Sequence, residues 1–185
     1  GSAYGTELQV AQCSASTPSI QAGCVAATMM LHVTPEAHGY FENMWAWVAD
    51  HDLGDPENTQ TTVAVARGML IESQGPNWLY ATASEHSMSY QYNFVNASNT
   101  IAGIIQTEPP YYQATEATQS PGPFNTSRPY PGGPVFPDSS CNGTDLLCNI
   151  SWAAMIQSTA NVTIAGASLY SWFDNYNEAC VDTQT

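Results

Sequence analysis

Residues 86 to 95 alternate. Met88, Tyr90, Tyr92 and Phe94 fall on one face of an extended chain, and Ser87, Ser89, Gln91 and Asn93 on the other. That period of two predicts a strand. The stretch "TTVAVARGMLIE" at 61 to 72 predicts one or two short strands around Gly68. In "NMWAWVAD", at 43 to 50, Met44, Ala46 and Val48 share one face and Trp45, Trp47 and Ala49 the other. Helical periodicity is weak, so the chain reads as all-β.

A faint repeat adds architecture. "TIAG" occurs at 100 to 103 and again at 163 to 166, each copy close behind an asparagine (Asn99, Asn161) and leading into an apolar stretch. "ENMWAWV" has the same shape. Short strands with Asn, Ser and Gly at the corners suggest stacked coils of a parallel β-helix, in which no coil can bury its inner face alone. A β-sandwich would also give alternating short strands. Residues 109 to 141 break the pattern: they are dense in Pro, Gly and Ser, and a loop of that length is commonly functional or disordered. Its aromatics, Tyr111, Tyr112, Phe124, Tyr130 and Phe136, favour an ordered loop that wraps the core or walls a cleft.

Composition narrows the partners. The 185 residues hold 16 Asp+Glu against 2 Lys+Arg, both of them arginine. Such a surface repels phosphate backbones, so no nucleic-acid partner is expected. Five Trp, ten Tyr and five Phe argue against acidic disorder. No apolar run is long enough to span a bilayer, so no membrane partner is expected either. Sequons at Asn96, Asn125, Asn142, Asn149 and Asn161, with the cysteines, point to a secreted, N-glycosylated protein. Asn125 and Asn142, in or beside the long loop, are the first candidates for occupancy. Cys13 and Cys24 can close one small loop, and Cys141 and Cys148 another. Cys180 is left over, which leads us to expect a piece of a longer chain with its partner cysteine elsewhere.

The candidate chemistry centres on two acids. Glu85 and Glu108 lie 23 residues apart, close to one coil of a β-helix. In register they would stack on neighbouring strands about 4.8 Å apart. Two carboxylates so placed do not both ionise freely, and a carboxyl that keeps its proton is what a glycosidase needs as its acid. Two surface glutamates that happen to match the coil length would show the same spacing. Trp45, Trp47, Trp78, Tyr111 and Tyr112 crowd the neighbourhoods of the acids, and sugar rings stack on such faces. Gln106 and His86, beside the acids, join the candidate substrate-binding residues, and His86 is placed to orient Glu85 or to cap the strand. Trp152 and Trp172 are expected in the core. "ADHDLGD" at 49 to 55 is rich in oxygen ligands but lacks EF-hand spacing, and it reads as a hydrogen-bonded corner. No HExxH, CxxC, Gly-rich phosphate loop or GxSxG elbow occurs, so neither metal nor cofactor is expected.

"YFENMWAWVADHDL", "GMLIESQGPNWLYATASEHSMSYQYNFVNASN", "IIQTEPPYYQ" and "LYSWFDNYNEAC" closely resemble glycoside hydrolase family 55, secreted and mainly fungal exo-β-1,3-glucanases of the laminarinase type. The resemblance covers most of the chain and is weakest in the 114 to 140 loop and the first dozen residues. It implies two tandem right-handed parallel β-helix domains with the active site between them, and residues 1 to 185 as part of the second. It implies inverting release of glucose or short sugars from the non-reducing end of a β-1,3-glucan. The glutamate of "QTE", Glu108, would be the general acid, and that of "SEH", Glu85, would help to hold the nucleophilic water. Polar residues of the first domain would complete the site. The alternative is a carbohydrate-binding or structural β-helix without catalysis. A pectin-active β-helix is disfavoured by the near absence of cations.

Overall fold

The computed structural model describes residues 13–14, 22–49, 51, 56–57, 59–110, 150–171 and 179–183. Among them the chain is all-β apart from a 3-10 turn at Ala22–Cys24 and a short helix at Ala179–Thr183. Every pairing between its named strands is parallel. Antiparallel contact is confined to isolated bridges, Ser14 with Thr61 and His51 with Gln60. No helix of the described residues is long and apolar enough to cross a membrane.

The strands stack in rows. One row is β2 (Leu31–Val33), β6 (Arg67–Ile71), β9 (Tyr90–Val95) and β11 (Trp152–Gln157). A second holds β3 (Gly39–Glu42), β7 (Asn77–Tyr80), β10 (Ser98–Glu108) and β12 (Ala160–Leu169). The second half of β10 also pairs with β8 (Ala83–Glu85), which pairs with β4 (Trp45–Trp47). A further pair, β1 (Val25–Ala27) with β5 (Ala64–Val65), lies beside these. Each traverse of the chain thus lays a strand in each row and returns to the next position, an arrangement compatible with a parallel β-helix.

Packing follows from this register, because equivalent side chains form columns. Leu31, Met69, Tyr92 and Ala154 share one column, and Val33, Ile71, Phe94 and Ile156 the next. Phe41, Leu79, Ala102 and Ile164 face them from the second row. Tyr92, Phe94, Met69, Ile71 and Leu79 are among the fully buried side chains of one core. The 61 to 72 stretch forms two short strands, β5 and β6, and Gly68 lies inside β6. A Cβ there would sit 2.2 Å from the Gln91 carbonyl oxygen, so only glycine fits this approach.

The polar face of β9 is buried as well. Gln91 and Asn93 are as enclosed as Tyr92 and Phe94. Gln91 accepts from the Ser87 backbone N–H and donates to the Ser87 carbonyl and the Ser151 hydroxyl. Asn93 accepts from Gln157. Alternation here marks two interiors, one apolar and one polar in which the Gln91 and Asn93 amides are paired.

Corners come from left-handed residues. Asn43, Ala81, Ile104 and Gly166 occupy equivalent positions in successive strands, all with φ between 49° and 74°. Asn99 and Asn161 form another such level, and the Asn161 amide donates to Asn99 Oδ1 at 2.7 Å. The asparagines, and not the "TIAG" repeat, set the register: Ile101 pairs with Thr163, so the two "TIAG" copies lie one residue out of step. A one-residue slip would turn each side chain to the other face. Cys13 and Cys24 form the expected disulfide. Cys141, Cys148 and most of the 109 to 141 loop lie outside the described residues, as does the Cys180 side chain. Trp152, expected in the core, is exposed at the start of β11, and Trp172 lies outside the described residues.

Candidate active site

Three short strands build the site. In β4, β8 and the end of β10, the middle residues Ala46, Ser84 and Thr107 point inward and are buried. Strand geometry then sends Trp45 and Trp47, Ala83 and Glu85, and Gln106 and Glu108 to the opposite face. Trp47, Glu85 and Glu108 fall in one column, and Trp45, Ala83 and Gln106 in the next. The 23-residue spacing is therefore one full return of the chain, and it brings the two acids side by side.

The two carboxyl groups have different partners. Glu85 is 5% exposed and accepts on both oxygens: Trp45 Nε1 donates to Oε2 at 2.6 Å and Gln106 Nε2 to Oε1 at 2.8 Å. Glu108 is more open, and the same Gln106 nitrogen donates to its Oε1 at 3.5 Å. Its other oxygen lies 3.6 Å from His86 Nε2. His86 is enclosed, sits at φ 67°, and places Nδ1 2.9 Å from the Pro109 carbonyl. Its backbone N–H donates to the Glu108 carbonyl at 3.0 Å. Beneath the site, burial pushes the Tyr92 phenol far above its ordinary value; the Thr82 hydroxyl partly offsets this and the Glu85 charge adds to it.

One side-chain oxygen or ring nitrogen each from Glu85, His86 and Glu108 lies within 4.8 Å of the others. The same closeness bears on hydrolysis. Carboxyl groups about 6.5–9.5 Å apart leave room for a water between them, and groups about 5–5.5 Å apart do not. The nearest oxygens of this pair lie within 4.8 Å, on the short side, because the two residues are direct partners on neighbouring strands.

The structure brings together Glu85, Glu108, Trp45, Trp47, Gln106 and His86. It changes the placement of three. Gln106 turns its amide to the two carboxylates. His86 faces Glu108, where its sequence position suggested Glu85, because the left-handed turn after β8 swings the ring toward the next strand. Trp78 leaves the site for the outer face of β7, between Tyr40 and Ile101. Trp45 presents an exposed face next to Trp47, with ring centroids 5.1 Å apart. Tyr111 and Tyr112 lie outside the described residues. His51, read from the sequence as part of a hydrogen-bonded corner, joins the site instead: its ring meets Trp47 and His86 edge-on. Sequence reasoning missed the Pro109 carbonyl, since a backbone acceptor has no sequence signature. Asp50, Asp52 and Asp55 lie outside the described residues. Of the sequons, Asn96 is exposed at a turn, Asn161 is tied into the asparagine level, and Asn125, Asn142 and Asn149 lie outside the described residues.

Fold and site together define a parallel-stranded all-β protein with a close acid pair, a buried histidine and an exposed tryptophan. The chain is homologous over nearly its whole length to glucan 1,3-β-glucosidases. It is 40% identical over 97% of its length to "Glucan 1,3-beta-glucosidase" of Cochliobolus carbonum, covering 21% of that protein. It is 39% identical over 100% of its length to "Probable glucan endo-1,3-beta-glucosidase" of Arthroderma benhamiae, again covering 21%. It is also 43% identical over 90% of its length to "Non-secreted LysM effector LysM15" of Penicillium expansum, covering 11%. The chain thus spans about a fifth or less of these relatives. No family model matches it.

Proposed function

We propose that this segment carries the acid–base pair of a secreted β-1,3-glucan hydrolase of glycoside hydrolase family 55. It would be part of the second of two right-handed parallel β-helix domains, with further site residues supplied by the first. The observation that carries this reading is the side-by-side placement of the two acids, Glu108 on Glu85 in neighbouring strands. Glu85 accepts N–H bonds on both oxygens, the pattern of an acceptor-only carboxylate. Glu108 has one oxygen 3.6 Å from His86 Nε2 and the other 3.5 Å from Gln106 Nε2. Glu108 protonates the glycosidic oxygen as the bond to C1 breaks. Glu85 takes a proton from the water that adds to C1. The exposed Trp45 face stacks on a sugar ring beside them. The disulfide Cys13–Cys24 and the exposed sequon at Asn96 support an extracellular setting.

Action from the chain end and inversion complete the proposal. The short carboxyl separation favours a second course, retention with Glu85 attacking C1 directly. Inversion instead places the water beside Glu85, with groups of the first domain holding it. One experiment separates these outcomes: laminarin is digested by the protein as its gene encodes it, and the first sugars are followed by proton NMR and by size. Released α-glucose supports exo action with inversion. A β-anomer shows retention, and a ladder of oligosaccharides shows endo action. Binding without any release would reduce the site to carbohydrate recognition.

A further inference from the structure

The Pro109 carbonyl fixes the state of His86. A carbonyl can only accept, so His86 Nδ1, 2.9 Å away, carries a hydrogen. In the neutral ring Nε2 then presents a lone pair, and it faces Glu108 Oε2 at 3.6 Å. A lone pair against a carboxylate oxygen is repulsive, and one proton on either partner makes the contact attractive. Such contacts are often long in the unliganded protein and tighten around substrate. The ring has little room to turn away. His86 is 3% exposed, its N–H is bonded to the Glu108 carbonyl, and its left-handed φ persists only where the surroundings hold it. Among the described residues, the titratable groups that face it include Glu108 from β10, Glu85 from β8 and His51 from the segment after β4.

We infer that His86 is a positioning residue for Glu108: the pair holds one proton, and the ring keeps the carboxyl in the rotamer that delivers it to the leaving oxygen. This rests on the reading of Glu108 as the acid. The proton passes to the glycosidic oxygen as the C1–O bond breaks and its electrons move to that oxygen. The water that adds to C1 loses a proton to Glu85. That proton returns to the His86–Glu108 pair through solvent, so each turnover consumes one water and no net proton. Neither Gln106 nor Trp45 can share this task, because both only donate to the carboxylates.

The test compares two substrates in the protein as its gene encodes it: an unactivated β-1,3-gluco-oligosaccharide, and a dinitrophenyl β-laminaribioside whose leaving group needs no acid. His86→Asn is the informative variant. Asparagine tolerates a left-handed φ, and its amide can still donate to the Pro109 carbonyl, but it has no titratable proton to share with Glu108. We expect kcat on the oligosaccharide to fall roughly 10- to 100-fold, part of the ~10²–10⁴ that general acid catalysis supplies, with KM within about twofold. Turnover of the activated substrate stays within about twofold. An equal fall on both substrates, or on neither, overturns the role. Glu108→Gln is run in parallel: if it spares the oligosaccharide, the acid reading itself falls, and if it behaves as an acid knockout while His86→Asn does not, only the histidine role falls. Nitrogen-15 NMR of the unmutated protein adds a measurement free of folding effects. The His86 ring should show the Nδ1–H form and respond at Nε2 to Glu108→Gln, and an unresponsive ring overturns the pairing.

Discussion

Trp45→Phe separates two uses of one side chain. The sequence suggests a stacking platform; the structure adds an N–H that anchors Glu85 at 2.6 Å. Phenylalanine keeps a ring face and removes the donor. A hydrogen bond to a charged group contributes about 1.5–3 kcal/mol. Trp45 is 52% exposed, so water can replace part of the lost bond, which argues for the lower end. About 1.5 kcal/mol lost from the transition state is roughly a tenfold fall in kcat, at about 1.36 kcal/mol per decade. Gln106 still holds the other oxygen of Glu85, so the fall should stop well short of that in a Glu85 knockout. KM should stay within about threefold, because the stacking face survives. Trp45→Ala should lower kcat similarly and also raise KM. Initial rates on laminarin over a range of concentrations measure both constants, and the thermal midpoint checks the fold. If Trp45→Phe leaves kcat within about twofold while Trp45→Ala raises KM alone, the indole N–H does no positioning and the argument from the Glu85 contact fails.

Three further outcomes concern the fold. Ile104 is a β-branched residue at φ 56° and 73% exposed, so Ile104→Asn should stabilise by about 1 kcal/mol, raising the thermal midpoint by about 2–4 °C; a fall instead would mean that the corner is not strained. Gly68→Ala should destabilise by about 2–3 kcal/mol or more, because the new Cβ would lie 2.2 Å from the Gln91 carbonyl and 2.3 Å from Ser84 Oγ; a urea midpoint equal to the parent's would contradict this. Because burial raises the Tyr92 phenol, the folded state binds more protons than the unfolded state once pH passes the free value of about 10. Stability is therefore full below about pH 10 and falls above it, and the fall should be smaller in Tyr92→Phe; phenolate absorbance from Tyr92 appearing before unfolding would refute the assignment.

The sequence by itself determined that the chain is all-β and that Glu85 and Glu108 lie one return of the chain apart. Alternation at 86 to 95 gave a strand, and the distance from Glu85 to Glu108 matched one return of the chain. Both are local or spacing properties, set by the period of the extended backbone and by the length of a coil. Tertiary structure decided what those properties leave open. Alternation cannot tell a solvent face from a second interior, and here Gln91 and Asn93 are buried because Ser151 and Gln157 of the next coil, with Ser87 of their own stretch, pair with them. Repeated letters cannot fix register, and the "TIAG" copies pair one residue out of step because Asn99 and Asn161 lock the corner. Neighbours in sequence need not be partners. His86 adjoins Glu85, yet a left-handed backbone turns its ring to Glu108 and to a backbone carbonyl that no side-chain pattern encodes. Gln106 ends as the bridge between the acids, because only the stacking of β8 on β10 brings its amide within reach of both.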